Sequence, residues 1–229
     1  MIIDYKTIKS IFRGYFPKID KKFIKEFYRL VVLYEDKVFK DENNFAIFLA
    51  NVLAEIDVKK NGKVRIRENM NYSCERAKKV FGIRLREYPT FTWCKKNGYV
   101  KPIIFASIVY GGRLGNLPYP ARDGWIYRGY GILQITGKDN FYKMFEGFKK
   151  YFDINLDFLK EHKHITDKVL NNYTIAILSG FTYWKDNKLN KVDDIEKSVD
   201  IINYYTDSRK KRYNLYKKIE RILDGSSIA

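Results

Sequence analysis

The chain is short of the residues that staple or metallate a fold: among 229 residues it has two cysteines, Cys74 and Cys94, and two histidines, His162 and His164. These four side chains assemble no zinc-ligand spacing, so neither a metal nor another cofactor is expected. The cysteines stand in unrelated sequence contexts and could pair, but two reduced thiols are the simpler expectation for a chain folded in cytosol. No low-complexity tract, internal repeat or Pro/Ser-rich linker divides the sequence. One domain over residues 1–229 is therefore expected, with no separate binding module appended. No apolar run approaches the ~20 residues of a membrane span. Residues 1–15 lack the continuous apolar stretch and small-residue cleavage site of a signal peptide.

What is abundant is positive charge. Lysine and arginine number 44 against 27 acidic residues, a formal charge of +17. Such a surface attracts polyanions: nucleic acid, an anionic membrane or an anionic cell wall. An alternative origin is compositional, because Lys, Tyr, Asn and Ile are all frequent, as AT-rich coding would give. The basic residues are spread along the chain, with no basic recognition helix and no aromatic RNA-binding motif, which argues against a nucleic-acid partner. Hydrophobic content of 45% with 31% charged residues describes a chain that folds.

Apolar periodicity predicts a mainly α architecture. Asp20 reads as an N-cap ahead of Phe23, Ile24, Phe27, Leu30, Val31 and Tyr34 at helical spacing. A second helix starts near Asn44, with Phe45, Phe48, Leu49, Val52, Leu53 and Ile56 in one stripe. A charged Asn-Gly turn follows, then a short strand at Val64–Ile66, then a helix capped by Asn71 or Ser73 and running through Lys79. Helical pattern returns at residues 142–152, 173–184, 195–202 and 212–223. Between Tyr110 and Gly131 lie six of the fourteen glycines, two prolines and five aromatics. That is loop chemistry, and long loops in compact domains tend to be functional.

Three groups of residues point to chemistry. Glu55 lies about 20° from Phe48 on the helical wheel, at the edge of the apolar stripe. Partial desolvation there would raise its pKa, as a general acid requires; the plainer reading is an ordinary border glutamate. Glu68 stands just past the following turn, so the two carboxylates can face one cleft, with a bland role as a salt-bridge partner of Arg65 or Arg67. The glycine-rich stretch Asp123–Gly137 offers the faces of Trp125, Tyr127 and Tyr130 for sugar stacking. Gln134 and Thr136, two apart on a strand or extended turn, would point the same way. Gly129-Tyr130-Gly131 lacks the third glycine and the strand–helix context of a nucleotide loop.

At these residues the chain resembles the chitinase-like glycoside hydrolases of family 19 and, within them, phage endolysins. The resemblance runs from roughly Asn44 to Leu223, leaving a helical N-terminal part of about residues 1–43. It rests on Phe48-Leu49-Ala50 with Glu55, on Arg67-Glu68-Asn69-Met70-Asn71-Tyr72-Ser73, and on Val109-Tyr110-Gly111-Gly112-Arg113-Leu114-Gly115-Asn116. It continues through Asp123–Asn140 and the ordered run Trp184, Asp194-Ile195-Glu196, Ile202-Asn203, Arg212 and Leu215-Tyr216. It implies a helical, lysozyme-like domain with a small β-hairpin and a glycine-rich central loop. It also implies Glu55 as general acid, Glu68 as the base on an attacking water with inversion, and Thr136 as a holder of that water. Gln134, Asn140 and Asn203 would line the sugar cleft, supported by Tyr110, Trp125 and Tyr127. Arg212 would orient or charge-balance a glutamate, and Arg128 would support the site.

The chain departs from the family in three places. Ala54-Glu55-Ile56-Asp57 replaces the usual His-Glu-Ser-Gly, the turn before Glu68 is longer and charged, and Tyr204-Tyr205 follows Asn203 where glycines are common. The expected activity is hydrolysis of bacterial peptidoglycan by a monomer retained on the anionic envelope by its charge. It would be made in a host cytoplasm and act in the periplasm or wall after holin-type release. A chitinase and a non-catalytic glycan binder are the alternatives.

Overall fold

The structure, a computed structural model, describes residues 3–161, 165 and 167–225; His162 and His164 lie outside them. Helices dominate because their starts are capped. Asp4, Asp20, Asp41, Ser73, Asn172 and Asp194 each accept a hydrogen bond from a first-turn amide, of Thr7, Lys22, Asn44, Arg76, Thr174 and Lys197 respectively. They open α1 (Tyr5–Tyr15), α2 (Lys21–Val38), α3 (Glu42–Glu55), α4 (Cys74–Leu85), α10 (Tyr173–Asp186) and α11 (Ile195–Asn203). Between them lie α5 (Thr90–Trp93), α6 (Pro102–Tyr110), α7 (Asp123–Ile126), α8 (Lys138–Phe152) and α9 (Asp167–Leu170), with α12 (Arg209–Leu223) last. The single sheet among the described residues is the hairpin β1 (Asp57–Val58) and β2 (Val64–Arg65), paired Asp57 to Arg65 and Val58 to Val64. The fold is mainly α with a small β-hairpin, as expected.

α3 is more than the one-sided stripe that its sequence suggests. Every residue from Asn44 to Leu53 is buried, so it is the central helix, enclosed by neighbours that include α11 and α12. Phe48 is the hub of its aromatic cluster, with ring centroids 5.0 Å from Phe39, 5.1 Å from Trp184, 5.5 Å from Phe181 and 6.4 Å from Phe27. α6 is absent from the periodicity reading because Phe105–Val109 are all buried, and an all-round apolar run carries no helical period. α4 runs past Lys79 to Leu85, with a break from helical backbone at Phe81.

The apolar residues form two cores. The large one joins α1, α2, α3, α8, α10 and α12; the small one holds Met70, Ala77, Trp93, Val100, Phe105 and Val109, from just before α4 to α6. Within this small lobe Cys74 and Cys94 form a disulfide, which corrects the expectation of two free thiols. The cause is tertiary. The turn after α5 folds back on the start of α4, with the Cys74 amide donating to Gly98 O and the Val100 amide to Tyr72 O, and this brings the two sulfurs together.

Replacing Phe48 by alanine should remove the hub of the larger core. The expected loss is about 3–5 kcal/mol of unfolding free energy, read from the urea midpoint at unchanged slope.

Candidate active site

Glu68 is placed by backbone pairing. Beyond β2 the chain stays extended and meets the glycine-rich segment: the Glu68 amide donates to Gly129 O and the Gly131 amide to Ile66 O, both at 2.8 Å. Tyr130 and Ile135 then exchange hydrogen bonds across a tight turn. This ladder carries the Glu68 carboxylate to two donors. Tyr110 Oη, from the last residue of α6, donates to Oε1 at 2.7 Å, and the Gly129 amide donates to Oε2 at 3.1 Å. Burial pushes the Glu68 pKa up from its ordinary value; the Tyr110 and Gly129 donors and the positive charges of Arg128 and Arg67 oppose the rise without cancelling it. Burial, reinforced by the Glu68 charge, also pushes the Tyr110 hydroxyl up, so it remains a donor.

Gly129 has no room for a side chain. A Cβ there would lie 2.6 Å from Gln134 Oε1, 3.1 Å from Glu68 Cβ and 3.2 Å from Glu68 Oε2. The same numbers show that Gln134 and Glu68 converge over the Gly129 backbone. Gly131 meets a second constraint, a φ of +75° with Ser179 Oγ only 2.0 Å from where a Cβ would stand. Gln134 itself takes a left-handed φ of 53°, so the segment is a turn rather than a strand. Burial still alternates, with Ile135 and Gly137 inside and Gln134 and Thr136 half-exposed. Thr136 Oγ1 donates to Gln134 O at 3.1 Å and Asn140 Nδ2 to Thr136 O at 2.8 Å, a chain of polar groups leading from Gln134 into α8.

Glu55, the last residue of α3, belongs to a different network. Its Oε1 accepts from Arg212 Nη2 of α12. The guanidinium is 1% exposed and the Glu55 side chain 22%. Arg212 also donates from Nη1 to Asn51 Oδ1 at 2.8 Å and from Nε to Ser208 Oγ at 3.0 Å. Asn51 Nδ2 in turn donates to Ile47 O and to Ser198 Oγ of α11. The apolar-border environment expected for Glu55 is thus replaced by a buried cation. Among the described residues its Oε2 accepts no hydrogen bond. Tyr183 of α10 stands close by: burial and the Glu55 charge push its hydroxyl pKa up. Tyr183 also lines a small cavity of about 200 Å³ with Asn140 and Thr182.

The structure therefore gathers Glu68, Tyr110 and Gln134 in one group, with Thr136 and Asn140 adjoining, and Glu55 with Arg212 in another. Asn203 ends α11 as an exposed residue, two positions beyond Ile201, whose carbonyl accepts from Tyr183. Arg128 is buried behind Glu68, donating to Trp125 O at 2.8 Å and lying 3.7 Å over the Trp125 ring. One face of that ring is thereby occupied by a cation. Tyr127 is a correction. It is wholly buried, edge-on to Phe141 at 5.3 Å, so its ring faces are not open to a sugar; Tyr130 is equally buried, with its hydroxyl on Leu170 O. Their inward direction follows from the ladder, which turns these rings onto α8. Asn51, Ser198 and Tyr183 escaped the sequence reading. Asn51 did carry a signal, as a polar residue four before Glu55 on the same face of an apolar helix. For Ser198 and Tyr183 no local signal exists.

Two measurements test this geometry. Gly129→Ala should lower kcat on the order of a hundredfold by displacing Glu68 and Gln134, with helical circular dichroism retained. Glu68→Gln should abolish turnover yet raise Tm at neutral pH. A carboxyl whose folded pKa is raised contributes stability below its unfolded pKa, and that contribution is lost as pH rises through the folded value. The amide removes this loss, so the Tm advantage should vanish below about pH 4, near the unfolded pKa.

No protein-family model matches the chain. Over 170 residues, 74% of this chain and 77% of the relative, it is 30% identical to a glycosyl hydrolase family 19 domain-containing protein of Haemophilus influenzae. Among solved structures, a mutant of chitinase C superposes with a TM-score of 0.51 at 16% identity, over 98% of this chain and 93% of that one. Chitinase C from Streptomyces griseus HUT6037 covers 94% and 91% at 15% identity, with a TM-score of 0.47. The first of these likenesses supports the helical fold. The sequence relative supports more: the chain belongs to glycoside hydrolase family 19.

Proposed function

We propose that this glycosidase cuts the glycan strands of bacterial peptidoglycan, with Glu55 as general acid and Glu68 as general base. The observation that carries the reading is the fixing of both Glu68 oxygens, by Tyr110 and by the Gly129 amide, beside Gln134. A base held by two donors keeps its orientation. A pKa raised by burial makes it a stronger proton acceptor than a solvated carboxylate. It takes a proton from a water that attacks the anomeric carbon, with Gln134 and Thr136 beside its path. Glu55 gives its proton to the glycosidic oxygen on the opposite face, from the oxygen that Arg212 does not hold. A water between base and sugar gives inversion at the anomeric carbon. Arg212 and Arg128 act through the glutamates rather than on the sugar.

Peptidoglycan is favoured over an uncharged glycan by the formal charge of +17, since bacterial walls and envelopes are anionic. The biological setting that fits is an endolysin, made in a host cytoplasm and reaching the wall through a separate release step. Chitin is the competing polymer for the same machinery.

Purified peptidoglycan treated with wild type should release muropeptides with new reducing ends, identified by mass spectrometry, and the reducing sugar will name the bond. Glu55→Gln should release none while still sedimenting with the wall. Wall binding should weaken as salt rises from 0.05 to 0.5 M, values chosen to span Debye lengths of roughly 14 to 4 Å. Release of soluble sugars from chitin but not from peptidoglycan would replace the wall reading with a chitinase. Wall binding without fragments from either protein would leave a glycan binder.

A further inference from the structure

The small lobe combines exposed apolar side chains with charge of one sign. Phe91 of α5 is 77% exposed, and Tyr99 and Ile103 are also exposed. Between Asn71 and Arg122 stand ten basic residues and two acidic ones, and no carboxylate side chain occurs between Glu87 and Asp123. These features meet at one place. The start of α6, the turn before it and the segment 119–122 enclose a groove of about 480 Å³. Pro102, Ile103, Ile104, Tyr119 and Pro120 supply its apolar lining, Lys95, Lys101 and Arg122 its cations, and no acidic residue lines it. Lys101 Nζ donates to Phe91 O at 2.7 Å, which fixes Phe91 at this rim. The Lys95 amide donates to Tyr99 O at 2.8 Å, which sets Tyr99 beside Lys95. None of Lys95, Lys101 and Arg122 enters an ion pair among the described residues.

We propose that this face of the small lobe docks on an anionic phospholipid surface, with Phe91, Tyr99 and Ile103 entering the interface and Lys95, Lys101 and Arg122 meeting lipid phosphates. Apolar tips ringed by long cationic side chains are poorly satisfied in water. At an anionic bilayer the rings take the headgroup level and the lysine stems lie along apolar surface with their charges on phosphate. A protein surface would need its own acidic and apolar complement, whereas a bilayer supplies both everywhere. The groove lies at the start of α6, and Tyr110, which holds Glu68, is at its other end. Pro102 lines both this groove and the cavity that Glu68 borders, so docking would bring that cavity close to the membrane. This surface is independent of the substrate reading above.

The test is co-sedimentation with vesicles of phosphatidylcholine alone or mixed with phosphatidylglycerol. Wild type should bind the mixed vesicles at least tenfold more tightly than the neutral ones. Phe91→Ser with Tyr99→Ser should weaken binding to the mixed vesicles at least fivefold, and Lys95→Glu with Arg122→Glu at least tenfold. Both pairs should keep wild-type rates of peptidoglycan cleavage, or wild-type circular dichroism if no cleavage is seen. Lys21→Glu with Lys22→Glu on α2 removes the same charge from another face and should leave vesicle binding within twofold. Equal loss from the α2 pair would overturn the proposal in favour of diffuse attraction by net charge. Loss from the charge pair without loss from the aromatic pair would overturn the docking mode, leaving electrostatic attraction without entry of the rings into the interface. Absence of vesicle binding by wild type would end it outright.

Discussion

The burial of one guanidinium governs the larger half of this protein. Arg212 is withdrawn almost completely from water, and such a cation is tolerated only when its donors are satisfied and its charge is met. Glu55, Asn51 and Ser208 meet those needs, and Asn51 extends the network to Ser198. Three helices are thereby keyed to one another: α12 supplies the charge, α3 the acceptors and α11 the hydroxyl behind them. α12 cannot slide along α3 without stranding a buried charge. Glu55 is therefore held at the end of a helix buried from Asn44 to Leu53, where aromatic packing around Phe48 already limits movement.

The second glutamate is governed by opposite physics. Glu68 has no salt bridge among the described residues; it is held by a phenol and a backbone amide, and burial dominates its pKa. The two carboxylates thus differ in environment, one paired with a buried cation and the other desolvated between a phenol and a backbone amide. The sequence reading placed desolvation on Glu55, because its position on the helical wheel borders an apolar stripe. The structure places it on Glu68. An arginine 157 positions away decides the first environment; burial decides the second, with Tyr110 and the Gly129 amide opposing its effect on the carboxyl.

Two cores of unequal size explain why the site takes this form. The ladder from Ile66 to Glu68 runs where the large core gives way to the small one, and Tyr110 reaches Glu68 from the small lobe while Gly129 and Gln134 reach it from the central segment. The disulfide from Cys74 to Cys94 closes the small lobe on itself, which holds the base of α6 against α4 and so steadies the helix that carries Tyr110. The small lobe's charge and exposed rings are a local property of its surface.

Much of the fold was legible because helices are local. Caps such as Asp20 and Ser73 and the apolar spacing of α2, α8, α10 and α12 depend only on near neighbours in the chain, so their existence follows from the sequence. Glu55, Glu68, Gln134, Thr136 and Asn140 stand out in the sequence as a pattern of residue types, and the glycine-rich run announced the close backbone approach seen at Gly129 and Gly131. What the tertiary structure alone decided was which of those side chains meet. Tyr127 and Tyr130 turned inward because ladder pairing sets their direction, and Asn51 and Tyr183 came to lie near Arg212 and Glu55 because the helices that carry them pack together. The cysteines paired because a turn folded back on α4. Periodicity reports which face of an element is apolar, but contact between distant faces is settled by packing, where burial, charge and hydrogen bonding must be satisfied together.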